Sequence, residues 1–250
     1  MTKILVTGGT GTLGGHVVPL LLAAGHDVRI LSRTARPARN GVEYVTGDLL
    51  KDEGTEDAVR GTEIVLHLAG GAKGDDVATG NLARAAAKAG VRHLVYISVI
   101  GADTMPIGYF KAKRGAEEAV AGSGVPFTTL RAAQFNDLVL KTVRAMAKMP
   151  VVPAPKELRF QPVDSRDVAE RLVELALGQP AGLVPDLTGP QLYGIAELMR
   201  GYLKATGKRR PLMPFRIPGK VGRAYRNADN LTLQGADTGK RTWEDFLAAQ

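Results

Sequence analysis

Residues 6–15, V-T-G-G-T-G-T-L-G-G, constrain this chain more than any other stretch. They follow the apolar run Lys3-Ile4-Leu5-Val6 and lead into a helix-period segment, residues 17–24, that stops at Gly25. A glycine-rich turn between a buried strand and a helix gathers bare backbone N–H groups at a helix N-terminus, and that combination binds a pyrophosphate. Glycine is required because a Cβ would block the tight turn or the approach of the phosphates. Two registers fit: Gly9, Gly11 and Gly14 as G-x-G-x-x-G, or Gly8, Gly11 and Gly14 as G-x-x-G-x-x-G. Both put Gly11 against the pyrophosphate, with Thr10, Thr12 and Leu13 supplying N–H groups or hydroxyls.

Strand-like and helical patterns alternate through the first 150 residues. Strands are expected at 3–7, 27–32, 42–46, 63–68, 93–98 and 127–130, and helices near 13–24, 53–59, 76–89, 109–121 and 136–149. Regular alternation with nearly continuous apolar strands implies an α/β fold with a doubly wound parallel sheet, the Rossmann arrangement. Pro150, Pro153 and Pro155 then break the pattern. A strand-like piece at 158–163 and a helix at 165–177 return to the fold. Residues 178–250 read as a small mixed α/β lobe that carries substrate, and residues 1–150 as the nucleotide-binding domain.

The second strand ends Ile30-Leu31-Ser32-Arg33. A site for NAD usually carries Asp or Glu there to hold the ribose 2′-hydroxyl. The nearby carboxylate, Asp27, stands at the wrong end of the strand. Ser32, Arg33, Thr34 and Arg36 gather instead, with Arg39 further along a Pro-containing connection. A guanidinium fork matches a 2′-phosphate, so the expected cofactor is NADP(H). Asp48 and Leu49, after the third strand, are expected at the adenine, although a turn or N-cap carboxylate explains Asp48 equally well. Leu68, Ala69 and Gly70, after the fourth strand, let the backbone pass close to adenine and ribose.

Tyr109 and Lys113 form Tyr-x-x-x-Lys on the helix after the fifth strand, one turn apart and on one face. A nearby ammonium lowers a phenol pKa from about 10, so Tyr109 can exchange a proton at neutral pH. Lys113 can also hold the nicotinamide ribose hydroxyls. Hydride would move between nicotinamide C4 and a carbonyl, enone or quinone carbon.

The segments T-G-G-T-G-T-L-G, L-S-R, V-Y-I-S-V-I-G-A-D, Y-F-K-A-K, G-V-P-F-T-T-L-R-A-A-Q-F and Q-P-V-D-S-R-D-V-A occur in that order. Together they resemble the NmrA-like branch of atypical short-chain dehydrogenase/reductases, over residues 2–177. The resemblance implies an NAD(P)-binding Rossmann core with a small C-terminal substrate lobe, and it favours the register with Gly8. Members are NADPH-dependent reductases or redox-sensing regulators that bind the nucleotide without turnover. The resemblance also implies a Ser or Thr at the end of the fifth strand. Ser98 stands one or two residues early for that role, so it is either the catalytic hydroxyl or a strand-end hydroxyl bonded to backbone. Gln134 falls where the family approaches nicotinamide, and Gln134 and Phe135 are expected at the substrate. Asp164 and Asp167 read as a helix cap and a structural carboxylate.

Composition narrows the alternatives. Without cysteine there are no disulfides or thiolate sites, and His16, His26, His67 and His93 have no ligand spacing, so no metal is expected. His67 and His93, in apolar runs, read as core residues. Residues 200–250 hold eleven Lys and Arg against four Asp and Glu, which accounts for seven of the net eight positive charges. No aromatic residues interleave as nucleic-acid stacking platforms, so a solvated basic surface is the simpler reading. The longest apolar run is too short to cross a bilayer and no secretory pattern opens the chain, so a cytoplasmic protein is expected. The leading reading is an NADPH-dependent oxidoreductase acting on a small carbonyl, enone or quinone. The alternatives are an NADP(H)-sensing regulator and, less favoured, a sugar-nucleotide epimerase or dehydratase.

Overall fold

The computed structural model describes residues 2–38, 41–71 and 73–250, so Arg39 lies outside the described residues. The chain opens with β1 (Lys3–Thr7), α1 (Thr12–Ala23), β2 (Asp27–Ser32), β3 (Val42–Thr46), α2 (Thr55–Val59) and β4 (Ile64–His67). It continues with α3 (Asp75–Lys88), β5 (His93–Val99), α4 (Gly108–Ala121), β6 (Phe127–Ala132) and α5 (Asn136–Met146). Shorter elements follow: β7 (Val152–Pro155), β8 (Arg159–Phe160), α6 (Ser165–Leu177), β9 (Gly182–Leu183), β10 (Leu187–Thr188) and β11 (Tyr193–Gly194). The chain closes with α7 (Ile195–Ala205), β12 (Leu212–Phe215), α8 (Gly219–Arg226), β13 (Asp237–Thr238) and α9 (Trp243–Ala248).

Among the described residues nine strands make the main sheet, in the order β13-β10-β6-β5-β4-β1-β2-β3, with β9 also on β6. β1 pairs in parallel with β2 on one side, Val6 opposite Ile30, and with β4 on the other, Val6 opposite Leu66. The connections therefore run outward in both directions from β1. That reversal opens a crevice at the carboxyl end of β1, where the glycine turn sits.

The chain divides into two compact units that interleave along the sequence. The first holds residues 1–98, 111–130 and 169–184; the second holds 99–110, 131–168 and 185–250. The core of the first unit packs Leu5 and Val65 of the central strands with Leu82, Ala86 and Val120 of the helices. Strands buried on both faces explain why β4 and β5 read as continuous apolar runs. The core of the second unit joins Val139 and Val143 of α5 with Leu198, Met199 and Tyr202 of α7 and with Trp243 and Phe246 of α9.

Pro150 lies outside the regular elements, after α5, but Pro153 and Pro155, also expected to break the chain, lie in a strand. β7 pairs in parallel with β12, Val152 N–H donating to Pro211 O at 2.9 Å and Lys156 N–H to Phe215 O at 2.6 Å. Pro153 and Pro155 occupy the alternate positions, whose missing N–H groups would point away from β12. Such a strand tolerates proline because one edge needs no donor. The apolar run at residues 183–187 joins two short strands, β9 and β10.

Trp243, the single tryptophan, is fully buried, stacks on Phe246 at 5.6 Å and donates its indole N–H to Leu198 O at 3.2 Å. Trp243→Ala is expected to destabilise the protein by about 3–5 kcal/mol, measured by urea unfolding followed by circular dichroism. A loss below about 1 kcal/mol would mean that this core does not depend on the indole.

Candidate active site

The glycine turn leaves no room for side chains at two places. Gly8 has φ +69°, and a Cβ there would lie 2.7 Å from Ala69 N on the turn after β4. At Gly14 a Cβ would lie 2.5 Å from both Gly8 O and Gly9 Cα. Gly11 N–H donates to Gly8 O at 3.0 Å, which closes the turn. The atoms nearest to a Cβ at Gly9 belong to the side chain of Ile30 and not to backbone. The backbone therefore supports the register of Gly8, Gly11 and Gly14. Gly11 caps α1, and the first-turn N–H groups of Thr12, Leu13 and Gly14 have no acceptor within the helix. The Leu13 side chain is buried, so only its backbone faces a ligand. A bare cradle ending in free N–H groups fits a dinucleotide pyrophosphate.

A cleft of about 460 Å³ opens above this turn in the first unit. Gly8, Thr10 and Gly11 line it from the first turn, and Ser32 and Arg33 from the end of β2. Asp48 and Leu49 line it after β3, and Leu68, Ala69 and Gly70 after β4. Ser32 Oγ donates to Thr34 O at 2.8 Å and so shapes its own bend. Arg33 is exposed and makes no ion pair among the described residues. Asp48 Oδ1 accepts from Leu50 N–H at 2.9 Å, the behaviour of a turn carboxylate.

Beneath the cleft lies a polar network that the sequence does not announce. Thr7 Oγ1 accepts from Ala69 N–H at 3.2 Å and lies 2.6 Å from His67 Nδ1. His67 Nε2 lies 2.9 Å from Thr79 Oγ1, and the imidazole stacks on Tyr96 at 5.3 Å. All these groups are satisfied when Thr7 donates to Nδ1 and the neutral ring donates from Nε2. Burial pushes the His67 pKa down to about 4, with the Lys113 charge adding to the effect and Asp75 opposing it. His67 is thus a core histidine, as its apolar setting predicts, and it also lines the cleft.

Lys113 has partners other than those expected. It is 5% exposed, and its ammonium lies 2.9 Å from Asp75 Oδ2, 3.1 Å from Tyr96 OH and 3.3 Å from Ile97 O. An ammonium has three donors, and these contacts use all three. A buried carboxylate thus stands against the Lys113 charge. Ser98, on β5, is also buried, and its Oγ has no hydrogen-bond partner among the described residues. It does not make the strand-end backbone bond that was the alternative to a catalytic role.

The second unit contains a separate cavity of about 240 Å³. Tyr109, Phe110 and Gln134 line it, with Leu138, Val139 and Thr142 of α5 and with Phe160, Ile195 and Tyr225. None of these side chains is charged. Tyr109 meets Phe110 edge-on at 5.3 Å, and Phe160 meets Tyr225 at 6.1 Å. Burial raises the Tyr225 pKa, which keeps its phenol protonated. Phe135, expected at the substrate, is not part of this lining. Its backbone bridges to Val163 ahead of α5, and Phe160 and Tyr225 provide the aromatic wall instead. Asp164 accepts from Arg166 N–H at 2.9 Å, and Asp167 accepts from Lys240 N–H at 2.9 Å, so both carboxylates are structural.

Residues 8–178 match a protein family described as NAD(P)H-binding. This chain belongs to that family, within its NmrA-like Rossmann proteins. The family fixes the cofactor class as a nicotinamide dinucleotide. Family relatives include the (4-alkanoyl-5-oxo-2,5-dihydrofuran-3-yl)methyl phosphate reductase of Streptomyces griseus, 33% identical over 87% of this chain and 74% of that protein. The NAD(P)H azoreductase of Xenophilus azovorans is 30% identical over 82% of this chain and 74% of its own length. Quinone oxidoreductase 2 of Escherichia coli is 25% identical over 82% and 75%. Among solved structures, a nucleoside-diphosphate-sugar epimerase from Staphylococcus aureus superposes with a TM-score of 0.79 at 21% identity, covering 98% of this chain and 99% of that one. An NADPH-dependent quinone oxidoreductase from Escherichia coli gives 0.77 at 20% identity, covering 98% of each. Both show the shared fold. Among the described residues no helix is long and apolar enough to cross a membrane.

Two outcomes follow from this geometry. Gly14→Ala places a methyl against Gly8 O and is expected to weaken NADPH binding at least about tenfold in a fluorescence titration. An unchanged affinity would show that the turn does not carry the nucleotide. The second concerns pH. The folded His67 pKa of about 4 lies below its ordinary 6.5, so between these values the unfolded chain binds more protons. The His67 contribution is complete above pH 6.5 and is lost as pH falls towards about 4. Unfolding midpoints should drop across that window and flatten in His67→Asn; an equal drop in the variant would remove His67 as the cause.

Proposed function

We propose that this chain is an NADPH-dependent oxidoreductase that reduces a small, uncharged carbonyl, enone or quinone compound. The observation that carries the reading is the aromatic, charge-free cavity with the Tyr109 hydroxyl in its wall, in a chain of an NAD(P)H-binding family. The reductase names of the relatives support the reaction type.

Bound nicotinamide would supply hydride. The residues of the chain do the rest. Gly8, Gly11, Gly14 and the first N–H groups of α1 hold the pyrophosphate, with Thr10 beside them. Arg33, free of ion pairs at the end of β2, takes the 2′-phosphate and sets the preference for NADP(H) over NAD(H). Leu49, Leu68, Ala69 and Gly70 form the wall along adenine and ribose. Flat apolar substrates gain from burial against Phe110, Phe160 and Tyr225. Tyr109 donates a proton to the substrate oxygen as it gains charge, and Gln134 orients the same group. Ser98, buried without a partner among the described residues, lines neither the cleft nor the cavity and is given no part in the proposed reaction. An anionic substrate would leave a charge unpaired in the cavity, which speaks against sugar nucleotides and phosphorylated compounds.

Tyr109→Phe is expected to lower kcat roughly 10²-fold with little change in KM, read from nicotinamide absorbance across neutral quinones, enones and aldehydes. Undiminished turnover would remove Tyr109 as the proton donor. No turnover by the parent, despite tight NADPH binding, would favour the sensing role. Arg33→Asp is expected to weaken NADPH binding at least about tenfold while NADH binding holds or improves. Equal NADPH affinity in parent and variant would overturn the assignment of Arg33.

A further inference from the structure

We infer that the outward face of the β7–β12 strand pair docks the protein on an anionic lipid surface. The inference concerns the second unit alone and depends on neither the cofactor nor turnover.

β7 and β12 form a two-stranded parallel sheet, with Val152 opposite Leu212 and Pro155 opposite Phe215. Val152 is buried in the core of the second unit, and Leu212 packs against the same core. Side chains alternate along a strand, and paired residues of a sheet share a face. Pro153, Pro155, Met213 and Phe215 therefore lie on the opposite, outward face, with Val151 just ahead of β7. Met213 is 53% exposed, Val151 43% and Phe215 40%. Neither strand carries a charged or polar side chain.

Cations border this face on both strands. Lys208, Arg209 and Arg210 precede β12 and Arg216 follows it, while Lys148 and Lys156 stand on either side of β7. All six are exposed, and none makes an ion pair among the described residues. Residues 198–228 hold nine Lys and Arg and no Asp or Glu. The adjacent carboxylate, Glu157, lies 3.8 Å from Arg226. The basic tail thus surrounds an apolar face, where its composition alone reads as a solvated surface.

An apolar patch bordered by cations matches the boundary of a membrane, where anionic headgroups lie over hydrocarbon. Nucleic acid would meet the cations but offer little to Val151, Met213 and the prolines. The prolines also bear on the choice of partner. Pro153 and Pro155 remove N–H donors from the outer edge of β7, and Pro214 does so on β12 between Met213 and Phe215. An edge so depleted of donors is a poor template for a strand from a partner protein. The same depletion lowers the cost of burying the pair in an apolar layer, where an unpaired N–H is expensive.

Vesicle flotation with the full chain tests the docking. Vesicles of phosphatidylcholine mixed with phosphatidylglycerol should bind the parent at least about tenfold better than phosphatidylcholine alone, and raised salt should weaken that binding. The double variant Met213→Asp/Phe215→Asp should partition at least about tenfold less, as should Arg209→Glu/Arg210→Glu, with unfolding midpoints close to the parent's. Because the chain has no cysteine, Met213→Cys takes a single environment-sensitive fluorophore. Its emission should shift to the blue on anionic vesicles. The same label on Ala121→Cys, exposed at the end of α4 in the first unit, should not shift. Should the aspartate variant fail to fold, the blue shift at position 213 decides the matter.

Three results would overturn the inference. The first is a parent that does not bind anionic vesicles. The second is equal binding to neutral and anionic vesicles, which would remove the cations from the account. The third is binding lost in the arginine variant yet kept in the aspartate variant. That outcome would mark a surface for polyanions, nucleic acid or an acidic protein, in place of a lipid layer.

Discussion

Two backbone turns meet in this protein with no room for a Cβ between them. Gly8, after β1, faces Ala69, after β4, at a distance that a methyl group would reduce to 2.7 Å from the amide nitrogen. β1 and β4 are neighbours in the sheet, paired from Ile4 and Ile64 to Thr7 and His67. Their carboxyl ends must therefore diverge within one residue to open a cleft, and only glycine permits the left-handed bend this requires. The cradle of α1 and the Thr7 tie to Ala69 adjoin that contact. Gly14 repeats the demand one turn into the helix, where the backbone of Gly8 and Gly9 fills the space of a side chain.

The two units manage polarity in opposite ways. In the first, a buried carboxylate and a buried ammonium lie under the cleft, where breaking such a pair typically costs about 3–5 kcal/mol. Charge there is paired within the protein. Groups free to meet an anion stand on the rim: Arg33 and the N–H groups at the start of α1. In the second unit the cavity has no charge at all, and its polar atoms are hydroxyls and one amide. The proposed function assigns the highly charged dinucleotide to the first surface and a neutral conjugated substrate to the second.

Local chemistry made much of this legible in advance. The glycine turn could be read because its spacing encodes backbone demands that no other residue meets. α6 spans 165–177 as its apolar period predicts, and β1, β2 and β3 match their expected bounds. Long-range partners were hidden. Tyr-x-x-x-Lys identifies a helical face, but spacing cannot say that Asp75, 38 positions before Lys113, already holds the ammonium. Asp75 carries no local signal beyond being an acidic residue in the first turn of α3. Phe160 and Tyr225 meet across 65 positions, so the aromatic wall had no local signature, and Phe135 drew attention only by adjacency to Gln134. Pro153 and Pro155 read as breaks because the sequence does not reveal that β7 uses only one edge.

The central proposal is that this chain transfers hydride from NADPH to an uncharged substrate. Single-turnover oxidation of NADPH carrying deuterium at nicotinamide C4, mixed with the enzyme and a neutral quinone or enone, tests it most directly. The account predicts oxidation slowed by a primary isotope effect, and slowed much further in Tyr109→Phe. Saturating NADPH binding with no oxidation across such substrates would contradict it.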